Sequence, residues 1–197
     1  MAILSSGSFR LEIRMTGRDV EDWIRYEIFF RYKGKSIFDD RILKFRDFSR
    51  HWNTRPFGGI LGEDCDEDEL IKKMQKALDT GEPQYFEALD PGFLVAVYPD
   101  KFFPFIPSNR IKVYQSDELR QQQMDNELVR ELAGGNLPED PVTIIVRVDS
   151  FNFCDEIAYS GNGPAIILTS TRYKIQQFID ALQLEYEATK CGKRNPG

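Results

Sequence analysis

Histidine is almost missing from this chain: His51 is the one imidazole among 197 residues. That rules out a metal centre built on several histidines and leaves a single imidazole as base for Ser–His or Cys–His catalysis. Cysteine is scarce as well. Cys65, Cys154 and Cys191 are widely spaced and form no CxxC. An odd, scattered set argues against a disulfide framework or a zinc knuckle and fits a reducing compartment, so a cytoplasmic location is expected. No stretch approaches the ~18 apolar residues of a membrane-spanning helix. The apolar residues 1–4 are too few for a secretory signal and lack its basic flank. No membrane partner is therefore expected. The phosphate-cradling patterns GxxxxGKS/T and GxGxxG are absent, as is the GxSxG of a nucleophile elbow. Positive charge is in deficit: 26 Lys and Arg face 32 Asp and Glu, for a net charge of −6. General nucleic-acid binding is not expected, because phosphate contacts need clustered cations.

What is present reads as a globular α+β chain. Hydrophobic residues make up 41% and charged residues 29%, which supplies a sizeable core without disulfides. Residues 8–15 alternate, with Phe9, Leu11, Ile13 and Met15 on one face and Arg10, Glu12 and Arg14 on the other. This is the period of a half-buried strand. Residues 16–22 (TGRDVED) read as a turn. Residues 23–32 (WIRYEIFFRY) alternate again, with Ile24, Tyr26, Ile28, Phe30 and Tyr32 sharing a face. Lys33-Gly34-Lys35 then reverses the chain into 36–43, and the short connections require antiparallel pairing.

Residues 47–68 read as irregular, ending in the acid-rich 63–69 (EDCDEDE). A helix follows, since Leu70, Ile71, Met74, Ala77 and Leu78 form one stripe at helical spacing, with Gly81 as its stop. Residues 84–89 and 92–98 read as strands around Asp90-Pro91-Gly92, and 110–114 as another. Ser116 is placed to cap a helix through about residue 133, ended by Gly134-Gly135. Two more strands follow, 142–149 and 165–168. The clearest helix is 171–188, with Ile175, Phe178, Ile179, Leu182 and Tyr186 on one side, before a polar tail. Strands in antiparallel clusters, each followed by an amphipathic helix on one side, define the expected fold class as α+β. The expectation is one domain over 1–197, with two sub-halves, 1–99 and 108–190, joined by the Pro/Phe-rich 99–107.

Chemistry is hard to find. Asp64, Asp66 and Asp68 mimic the first ligands of a calcium loop, but Glu69 stands where the turn glycine belongs and Gln75 where the closing Glu belongs. A solvated acidic loop capping the next helix accounts for them better. Asp39-Asp40, Asp149 and Asp155-Glu156 are the carboxylates that a cleft enzyme would have to bring together, but among 32 acids such groupings arise by chance. His51 reads as a loop residue beside Trp52, and nothing around Cys154 marks it as activated. Neither a cofactor nor a metal is expected. A hydrolase using carboxylate or Cys–His chemistry remains the alternative, and a structural or adaptor subunit the second alternative.

The leading expectation is a non-enzymatic, partner-binding protein. Its candidate contacts are Glu63, Asp64, Asp66, Glu67 and Asp68 in the densest acidic segment, and Asp19, Glu21 and Asp22 in a smaller one. Phe102, Phe103 and Phe105 form a third candidate, because FFPFI lies between prolines and reads as a loop.

Four features taken together resemble a known family. They are the Trp-containing run 23–32, the short amphipathic helix 70–78, the stretch 81–98 (GEPQYFEALDPGFLVAVY), and a final strand leading into a helix that holds LQLEYE at 182–187. Glu82-Pro83 and Phe178, Leu182, Glu185 and Tyr186 carry the likeness. The pattern is similar to that of the WapI-type immunity proteins of bacterial polymorphic toxin systems, with 46–63 and the helix near 118–132 as added material. The resemblance implies a cytosolic protein that neutralises a cognate toxin by blocking it. It implies neither which toxin nor any contact residue. A basic toxin domain would suit the acidic segments through electrostatic steering.

Overall fold

Strict alternation carries β2 (Phe9–Arg18) and β3 (Ile24–Tyr32), the two long strands at the centre of the first sheet. In this computed structural model the described residues are 1–18, 22–38, 60–64, 69–87, 93–99, 140–149 and 163–191. The strands expected at 8–15 and 23–32 are present, and β2 runs on through Arg18, where a turn was expected. A register shift between Met15 and Gly17 absorbs one extra residue and lets the ladder continue to Arg18, opposite Ile24. Met15 N–H donates to Glu185 at 3.3 Å.

Two strands were not anticipated. β1 (Ala2–Ser6) pairs with β2, burying Ala2 and Leu4, and its outward Ile3 blurs the alternation that would have revealed it. β5 (Ile60–Asp64) pairs with β3 along Ile24–Ile28, inside the segment read as irregular. The hairpin at Lys33-Gly34 is as expected. Both residues have positive φ, 49° and 78°, the two-residue turn whose twist matches the flanking strands. The strand beyond it, β4 (Lys35–Ser36), is two residues long, Ile37 N–H still donates to the Phe30 carbonyl at 2.8 Å, and 39–43 of the expected run lie outside the described residues. Because β2 occupies one edge of β3, β4 and β5 share the other edge at opposite ends.

The second sheet is a four-stranded antiparallel meander of β6 (Gln84–Glu87), β7 (Phe93–Pro99), β8 (Pro141–Val148) and β9 (Ala165–Thr171). Its strands fall where the sequence places them, with β9 three residues longer than expected. The expected strand at 110–114 and helix at 116–133 lie outside the described residues, as do 100–107 of the expected join and the tail after Cys191.

Each sheet is followed by a helix, as expected for α+β. α1 (Glu69–Thr80) buries Leu70, Ile71, Met74, Ala77 and Leu78, the stripe read from the sequence. It ends where Gly81, at φ 71°, turns its N–H back to the Ala77 carbonyl at 3.0 Å. α2 (Arg172–Cys191) starts at Thr171, whose hydroxyl accepts from Lys174 N–H at 3.2 Å as an N-cap.

The helices cross between halves. α1 packs on β6 and β7, α2 lies across β1 and β2, and the helices touch each other. The sheets abut at β1 and β9, where the Ser6 hydroxyl donates to the Thr169 carbonyl at 2.6 Å. Their inner faces meet where Tyr26 and Phe93 stack edge-on at 5.7 Å. The buried apolar residues of both sheets and both helices form one cluster.

Two polar ties fix the helices to each other. Gln75 and Gln176 exchange amide hydrogen bonds of 3.2 and 2.8 Å. The last turn of α1 holds no basic residue, and Arg172 at the start of α2 supplies one from outside by donating to the Leu78 carbonyl. A cation there complements the negative end of the helix dipole. Arg172→Ala is expected to lower stability by about 1–2 kcal/mol, read from the urea midpoint, because it removes a charged donor from a carbonyl at a helix end.

Candidate functional site

Charge is distributed unevenly along the first sheet, and the strand pairing shows how. β5 enters at Ile60 opposite Ile28 and leaves at Asp64 opposite Ile24. Glu63 and Asp64 therefore stand in the ladder at the Ile24 end of β3, with Glu63 in register with Arg25. α1 begins at Glu69, which pairs with Lys73 at 3.2 Å. The acid-rich run is thus tethered at both ends, by an edge strand and by the first turn of a helix, with only residues 65–68 between them. Asp66, Glu67 and Asp68 lie outside the described residues, as do Asp19, Glu21, Phe102, Phe103, Phe105, His51 and Cys154.

Asp22, the described member of the smaller acidic segment, sits at φ 77°, a left-handed conformation that Asp tolerates better than most residues. Its carboxylate pairs with Arg18 at 3.3 Å. Arg18 was read as part of a turn. It is instead a buried tie, its side chain 2% exposed. Its Nη1 also donates to the Asp22 carbonyl at 3.2 Å, its Nε to the Thr189 hydroxyl at 3.3 Å, and its guanidinium lies 5.4 Å from the Tyr186 ring centre. Lys190 covers the same ring at 4.2 Å. The Glu187 carboxylate, bonded to the Lys190 amine, holds that amine above its ordinary pKa.

The outer face of the first sheet was expected to be solvated, and at Glu12 and Phe29 it is not. Glu12 is buried. Both its oxygens accept from Arg31 Nε at 3.1 Å, and Arg10 approaches at 3.5 Å. Arg14 and Glu27 pair at 3.1 Å on the same face. Phe29, which alternation sets on the face opposite Ile28 and Phe30, is also buried, with the guanidinium carbons of Arg14 and Arg31 at 5.9 and 5.5 Å from its ring centre. The arginine stems cover the face that alternation assigns to water.

The opposite correction applies at the far end of the sheet. Phe9 and Tyr32 lie on the core-facing side, as read, but beyond the last core layer, and they are 42% and 43% exposed. They face each other across β2 and β3 with ring centres 4.8 Å apart. Lys33 Nζ lies 5.4 Å from the Tyr32 ring centre, and Lys35 is paired with Tyr32 in the ladder.

Among the described residues no group of three or more His, Cys, Asp or Glu is arranged to hold a metal ion. No described helix is long and apolar enough to cross a membrane. No protein-family model matches the chain, and no curated protein or solved structure shows significant similarity to it.

Proposed function

We propose that this chain works by binding another protein, and that the acidic run at 63–69 is the surface that meets it. The resemblance to WapI-type immunity proteins suggests the class of partner, a toxin domain blocked in the cytoplasm, and the charge suggests a basic face on that domain. The observation that carries the proposal is the placement of the run. Six acids fall in seven residues: Glu63 and Asp64 close an edge strand, Glu69 opens a helix, and three more lie in the four residues that connect them. Clustered like charge of this kind accelerates encounter with an opposite charge.

The experiment compares the tagged chain with a variant carrying Asp64→Asn, Asp66→Asn, Glu67→Gln and Asp68→Asn, each used to capture protein from lysate of its own source at low and moderate salt. One dominant basic partner, released as salt rises and missing from the variant, is the expected result. A partner retained equally by the variant at low salt would remove the acidic run from the interface. A hydrolase remains the second reading, but no described arrangement favours it.

A further inference from the structure

We propose that the end of the first sheet where β2 begins and β3 ends is a second docking surface, and that its occupant is an acidic segment of another protein carrying an apolar side chain. It is independent of the acidic run, which leaves the sheet at the opposite end of β3, about 25 Å away at ~3.3 Å per residue.

Phe9 and Tyr32 supply the apolar part. Both are anchored in the ladder rather than in a loop, and each remains more than 40% exposed although they stack on each other. Rigid, half-exposed aromatic rings lose little entropy on binding and are the residue types that carry binding energy at protein interfaces.

Lys33 and Lys35 supply the charge. Among the described residues no carboxylate is within ion-pair distance of either. The nearby carboxylate of Glu12 points to the other face of the sheet and is held by Arg31. Two cations beside two exposed rings, on a chain of net charge −6, form a local reversal of sign. Charge complementarity therefore selects an anionic occupant.

Screening decides which kind. At physiological ionic strength a charge acts over ~8 Å, so a short acidic peptide feels the two lysines and little of the distant acidic run. A nucleic acid brings a charge every ~1.7 Å of duplex and draws its affinity from many phosphate contacts, more than two lysines supply. A polypeptide segment fits the patch and the polyanion does not.

Fluorescence anisotropy of the full chain tests this with a labelled peptide of about ten residues alternating Glu with Leu and Phe. A peptide with Lys in place of Glu and a labelled oligothymidylate serve as comparisons. The acidic peptide is expected to bind, and about tenfold more weakly to Lys33→Glu/Lys35→Glu. Tyr32→Ser is expected to weaken it about fivefold. Neutralising the acidic run at 64 and 66–68 should leave or slightly tighten this binding. Equal binding of the two peptides, or no effect of the double lysine reversal, overturns the proposal. Tighter binding of the oligothymidylate, lost in the lysine variant, overturns the choice of a protein occupant. The lysines are exposed, so the reversal variant tests the proposal even if Tyr32→Ser fails to fold.

Discussion

Phe93→Ala is expected to lower stability by about 3–5 kcal/mol, the range for truncating a buried aromatic ring. Phe93 is 1% exposed, and its ring contacts Tyr26 of the first sheet and Phe86 of its own, each at 5.7 Å. Truncation opens a cavity at the junction of the sheets, where neither can relax without disturbing the other. For a chain of this size the melting temperature should fall by roughly 10 °C. Far-ultraviolet circular dichroism and tyrosine fluorescence are expected to report one shared transition, because the buried residues of both halves form one cluster. A first sheet that melts at its wild-type temperature while the second melts early would contradict that shared core.

Removing the buried guanidinium should cost nearly as much. In Arg18→Met the methionine keeps much of the length and apolar stem but removes the guanidinium's bonds to the Asp22 carbonyl, the Asp22 carboxylate and the Thr189 hydroxyl. The expected loss is about 2–3 kcal/mol, measured from the urea midpoint. Part of that contact is with a half-exposed carboxylate, where solvent weakens the ion pair, so the backbone and hydroxyl bonds carry most of the effect. Arg18→Lys should recover only a fraction, since one ammonium cannot reproduce the planar fork that reaches Asp22 and α2 together. Full recovery by lysine would show that charge alone matters there.

The elements legible in the sequence are those with one buried face. β2, β3, α1 and α2 report burial through a period of two or of about 3.6, and their core residues fall at the positions the period assigns. β1 has two buried positions and an outward isoleucine, and β5 reads ILGED, so neither shows a usable period. Alternation also assigns a face but not a depth. Alternation sets Glu12 and Phe29 opposite the face of Ile13 and Ile28, yet arginine side chains cover them and both are buried. Phe9 and Tyr32 were placed inward and are inward, yet the core stops one layer short of them. Arg18 was hidden because a bulge carries β2 on through Thr16, Gly17 and Arg18, which open a sequence that looks like a turn. The acidic candidates were legible as charge, and the pairing of β5 then placed Glu63 and Asp64 at one end of the sheet.

The association rate of the captured partner, measured against salt for the chain and for its neutralised variant, tests the binding proposal most directly. Steering by the 63–69 run predicts a rate that falls steeply as salt rises, and a variant at least about tenfold slower at low salt with a much flatter dependence. Identical rates for the two chains across the salt range would contradict it.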